Sequence, residues 1–85
     1  MTIDELTQKV IGCAYHVHGQ LGAGFLVRVY ENAVRIELTA AGIDVKQQQP
    51  VNVWYAGELV GDFQADLLVE NRLIIELKAV ENLRK

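Results

Sequence analysis

Gly42 divides the chain into two stretches with different apolar rhythms. Before it, hydrophobic residues return every three or four positions, the repeat of one helix face. After it they gather in short β-branched and aromatic runs separated by turn residues. Helices first and linked strands afterwards predict an α+β fold, not an alternating βαβ one. With 85 residues there is room for a single domain, 1–85, with a modest core. The expected elements are helices at about 3–19 and 25–41 and strands at about 43–55, 59–69 and 73–80, a three-stranded antiparallel meander.

Local signals support these bounds. Thr2-x-x-Glu5 is a capping-box pattern, in which two side chains satisfy otherwise unpaired amides. Ile3, Leu6, Val10, Ala14, Val17 and Leu21 then follow the helical period until the glycine-rich stretch at 19–24. That stretch lies between two helices, so it is read as a turn and not as a phosphate-binding loop, which follows a strand. The second helix is apolar except for a stripe of Arg28, Glu31, Asn32, Arg35 and Thr39, and Gly42 is expected to be its left-handed cap. So apolar a helix calls for cover on more than one face. Pro50 suits an edge strand or a bulge, Ala56-Gly57 a turn, and Glu70-Asn71-Arg72 the tip of a hairpin.

Composition removes several classes of function. A hydrophobic fraction of 51% with one proline excludes a disordered tail. No apolar run approaches the length of a membrane span, and Met1-Thr2-Ile3-Asp4-Glu5 does not resemble a secretion signal. The one cysteine, Cys13, forms no internal disulfide, is read as a packed side chain, and points to a reducing, cytoplasmic setting. Eleven acidic against eight basic residues argue against a protein that coats nucleic acid. His16 and His18 point to different sides of a helix, which makes them poor joint ligands. Trp54 and Tyr55 have no Lys or Arg between Lys46 and Arg72 for company, so a core or subunit-contact role is expected in place of base stacking.

Chemistry concentrates in Asp66, Glu76 and Lys78. A hairpin centred on Asn71 would set Asp66 opposite Glu76, with Lys78 on the same side and Gln64 across from it. Like charges across a ladder disfavour each other by up to ~1 kcal/mol. A hard cation such as Mg²⁺, which prefers oxygen ligands, would offset that cost, and Lys78 would orient a water or steady developing charge. The plainer alternative is a solvated sheet face on which Lys78 offsets two carboxylates.

Asp66, nine residues, then Glu76-Leu77-Lys78 resembles the signature of the PD-(D/E)XK nuclease superfamily, with Ala65 where its proline would stand. Ile11-Gly12, Val17-His18, Leu21-Gly22-Ala23-Gly24, Val29-Tyr30-Glu31, Gln49-Pro50-Val51, Asp66-Leu67-Leu68-Val69 and Ile75-Glu76-Leu77-Lys78-Ala79-Val80 together resemble its GxxExxY group, in order along the chain. The resemblance implies a shortened restriction-endonuclease-like core with an Mg²⁺-dependent site that cleaves nucleic-acid phosphodiesters. Asp66 and Glu76 would correspond to metal ligands, and Lys78 to the catalytic lysine. Two departures stand out. Val27 occupies the position of the motif glutamate, and Glu31, one turn on, is expected to be solvated beside Arg28 and Arg35. Relatives also continue past the equivalent of Lys85 with a helix and a strand, so the β-rich half and the apolar second helix are expected to seek cover in a symmetric homo-oligomer. Two readings follow: a nuclease-like protein, or a non-catalytic homo-oligomeric assembly or binding module on the same shortened fold.

Overall fold

A computed structural model describes residues 1–78. Helix α1 runs from Ile3 to Leu21, two residues past its expected end. Its capping box is reciprocal: the Thr2 amide donates to Glu5 Oε1 at 2.8 Å, and the Glu5 amide donates to Thr2 Oγ1 at 3.1 Å. The hydrogen bonds from the Thr2 backbone and then its hydroxyl hold the Glu5 carboxyl below its ordinary range. Leu6, Val10 and Val17 form the buried face of the helix. Gly22, at φ +74°, turns the chain out of the helix while its amide still reaches His18 O.

The next turn is held by a residue outside it. Tyr30 Oη donates to Gly22 O at 2.6 Å and accepts the Phe25 amide at 3.2 Å, and its ring meets Phe25 edge-on. Phe25 and Leu26 are thereby kept out of the helix, which is why α2 spans Val27–Ala40 and not 25–41. Gly42 does serve as the left-handed residue, at φ +81°. Its amide donates to Thr39 O and that of Ile43 to Leu38 O, a Schellman pattern closed by the buried pair Leu38 and Ile43.

Strands β1 (Val45–Tyr55), β2 (Glu58–Val69) and β3 (Leu73–Ile75) form an antiparallel sheet in the order β1-β2-β3. Edge position is what lets β1 accommodate Pro50. The last hairpin has the register expected of a turn centred on Asn71, with Val69 opposite Leu73 and Leu67 opposite Ile75. Glu70 and Asn71 both have positive φ, and the Arg72 amide closes the turn on Val69 O. The third strand is shorter than the expected 73–80, because from Glu76 onward side-chain carboxylates take over the backbone donors (below); residues 79–80 lie outside the described residues.

Ala65, Leu67 and Val69 alternate on the buried face of β2, and the latter two join Leu6, Val10, Val17, Val34, Leu38 and Ile43 in the core. Helix α1 lies against α2 and β3, and α2 against β1 and β2. Cys13 is half-buried against this core, and burial, then the nearby Glu37 carboxylate, pushes its thiol upward. His16 faces Glu37 at 3.7 Å and His18 is exposed, consistent with their separate sides of α1.

One expectation about cover is corrected in part. Trp54 and Tyr55 are 62% and 74% exposed, so the core half of the expected core or subunit-contact role fails. They sit at the tip of the β1–β2 hairpin, beyond the reach of either helix, where Ala56 and Gly57 turn the chain at positive φ. Helix α2 is covered by α1 and by the sheet, as expected of more than one covered face, though Ile36 and Val29 still face solvent. Among the described residues no helix is long and apolar enough to cross a membrane.

Candidate functional site

The site forms where the β2–β3 ladder gives out. After the Leu67–Ile75 pair the strands stop exchanging backbone bonds, and two carboxylates substitute for them. Asp66 Oδ2 accepts the Leu77 amide at 2.7 Å, and Glu76 Oε2 accepts the Asp66 amide at 3.4 Å. Each acidic residue thus binds the backbone of the opposing segment, which brings the two together as the hairpin register requires. Asp66 is half-buried and Glu76 exposed, so desolvation falls on only one of them. Lys78 is exposed, two residues past Glu76. Its placement beside Glu76, and Gln64 opposite it, were expected from strand alternation through residue 80. The ladder ends at Ile75, and Gln64 pairs with Pro50 on the other side of β2.

A third carboxylate lies deeper. Glu31 is 2% exposed, contrary to the expectation that it would be solvated with Arg28 and Arg35. It shares the buried stripe of α2 with Val34 and Leu38, at spacings of three and seven. A buried carboxylate requires donors, and glutamine amides supply them. Gln47 Nε2 donates to Glu31 Oε2 at 2.7 Å, and Gln48 Nε2 approaches Oε1 and Oε2 at 3.1 and 3.3 Å. Arg28 Nε lies 3.6 Å from Oε1 and is itself mostly exposed. Asn32 Oδ1 accepts the other Gln47 amide hydrogen at 2.8 Å.

Neighbouring residues of a regular strand point to opposite faces, yet Gln47 and Gln48 both reach Glu31. The break is local. Gln48 has φ +50° and drops out of the ladder between the Gln47–Leu67 and Gln49–Ala65 pairs. It therefore falls opposite Asp66, and its Nε2 lies 3.5 Å from Asp66 Oδ1. Glu31, Gln48, Asp66 and Glu76 thus form one connected chain from the underside of α2 to the end of β3. The sequence reading missed Gln47 and Gln48 altogether. The available signal was the run Gln47-Gln48-Gln49 in a strand whose other residues are largely apolar.

Among the described residues no three acidic, histidine or cysteine side chains are grouped as a metal cage. The donor chemistry nonetheless suits a hard cation: Asp66, Glu76 and Glu31 offer only carboxylate oxygen, and a site with one or two carboxylates completed by water is ordinary for Mg²⁺.

Helices cover one face of an antiparallel sheet in an α+β fold, with Asp66 on its central strand and Glu76 just past its third. The model of the PD-(D/E)XK nuclease superfamily matches residues 4–85, and the chain belongs to that superfamily. Nucleases of this superfamily commonly use divalent metals. No curated protein and no solved structure gives a significant match.

Proposed function

We propose that the protein cleaves nucleic-acid phosphodiesters with a divalent cation at the Asp66–Glu76 site. The observation that carries this reading is the convergence of Asp66 and Glu76 on each other's segment at the end of β2, with Lys78 two residues on. Asp66 and Glu76 would hold the ion. Bound there, a divalent cation supplies Lewis-acid polarisation of a phosphate. Lys78, exposed two residues past Glu76, would steady a phosphate oxygen or orient the attacking water. Asp66 is itself oriented by the Leu77 amide on Oδ2, while its Oδ1 lies toward the Gln48 amide.

Calorimetric titration with Mg²⁺ or Mn²⁺ tests the site. Wild type is expected to bind, and Asp66→Asn or Glu76→Gln to lose at least about tenfold in affinity. Lys78→Ala is expected to keep the metal while losing oligonucleotide cleavage. Absence of binding at millimolar metal would overturn the reading.

A second reading, a homo-oligomeric assembly module, is favoured by a different observation. The outer half of the β1–β2 hairpin exposes Val53, Trp54, Tyr55, Leu59, Val60 and Phe63. Large exposed apolar residues gathered on one arm are a mark of contact sites. Self-association and cleavage are compatible, and solution size tests the first independently of the second.

A further inference from the structure

We propose that Gln48 is a built-in gate of the acidic site: its amide bridges Glu31 and Asp66, so a cation held by Asp66 and Glu76 must displace it to gain Glu31 as a further ligand. The inference rests on the metal-site reading above and concerns how that site is regulated. Gln48 Nε2 lies 3.1 Å from Glu31 Oε1 and 3.5 Å from Asp66 Oδ1. Only the NH₂ end of the amide is compatible with two flanking carboxylates, because its oxygen would face negative charge on both sides. The backbone adopts φ +50° to bring it there, a conformation that a side chain with a Cβ adopts only when its surroundings require it. Gln48 is half-buried, and its side-chain hydrogen-bond partners are those two carboxylates.

An amide carries two donors but no net charge. It therefore stabilises neighbouring carboxylates while metal is absent and gives way to a full cation when metal is plentiful. The result is a metal-free state that folds without a cation and a binding threshold set by Gln48. Gln47 does not share this role, because its second hydrogen goes to Asn32 and not to Asp66.

The test compares Mn²⁺ binding by calorimetry, and melting with and without Mn²⁺, in wild type, Gln48→Asn and Gln48→Gly. Asparagine tolerates the left-handed backbone but is one methylene too short to bridge, and glycine relieves the backbone while removing the amide. Both variants are expected to melt lower than wild type without metal. Both should bind Mn²⁺ about tenfold more tightly, a difference of about 1.4 kcal/mol, and gain more in melting temperature on adding it. Binding by all three proteins with equal or weaker affinity in the variants would overturn the gate and leave the metal site standing. Binding by neither wild type nor variants would overturn both. Binding by the variants alone would support the gate in its strongest form.

Discussion

Glu31 occupies a position where Val34 and Leu38, on the same stripe of α2, call for another apolar side chain. Its spacing to Arg28 and Arg35 is equally helical, so the residue belongs to two stripes at once. The periodicity could not separate them, and the reading of a solvated Glu31 was wrong for that reason. Burial was decided by the two amides from β1. Removing the acceptor strands them. Glu31→Ala is expected to lower stability by about 2–4 kcal/mol, since it deletes charge-assisted bonds and leaves a void. Glu31→Gln should cost less, because one carbonyl oxygen still accepts. Urea unfolding measures both, and a loss below about 0.5 kcal/mol for the alanine variant would place Glu31 among ordinary surface residues.

At the level of elements, much was legible because the rules are local. The capping box, the Gly42 cap, the edge placement of the Pro50 strand and the turn at Asn71 each depend on residues a few positions apart. Their errors came from outside. The expected start of α2 failed because Tyr30 latches Gly22 and Phe25, and the expected length of β3 failed because Asp66 and Glu76 take over its backbone donors. The capping box also has a pH signature. Glu5 has a lowered folded-state pKa, so its contribution is fully present above the unfolded-state value and is lost as pH falls through the folded one. The melting temperature of wild type should therefore exceed that of Glu5→Gln at neutral pH, with the gap closing on the acid side. Thermal melts across the carboxylate range check this, and a gap that persists at low pH would contradict it.

At the scale of the whole molecule, the extents of 44 × 33 × 22 Å reflect a long hairpin whose outer half the helices do not reach. Six large apolar residues there expose on the order of 600 Å², taking about 200 Å² for a fully exposed aromatic side chain. A stable interface needs roughly 800 Å² from each partner, so a second copy of the chain would have to engage both faces of the arm or bury neighbouring surface as well. Light scattering is expected to give a mass at least twice that of one chain. Trp54→Ser with Val60→Thr should shift it to one chain while leaving the melting temperature nearly unchanged, since neither residue packs on the core. A monodisperse single chain for wild type at micromolar concentration would remove self-association.

The residue order alone determined the element types, their succession, the hairpin register that brings Asp66 to Glu76, and the superfamily resemblance, because periodicity, caps and turn chemistry act over a few neighbours. Only tertiary structure decided that Glu31 is buried and that Gln47 and Gln48 serve it. Those contacts join residues 16 to 18 positions apart across a helix, an edge strand and the central strand. They also require a left-handed backbone at Gln48, a conformation that glutamine does not favour on its own and that the pull of two carboxylates maintains.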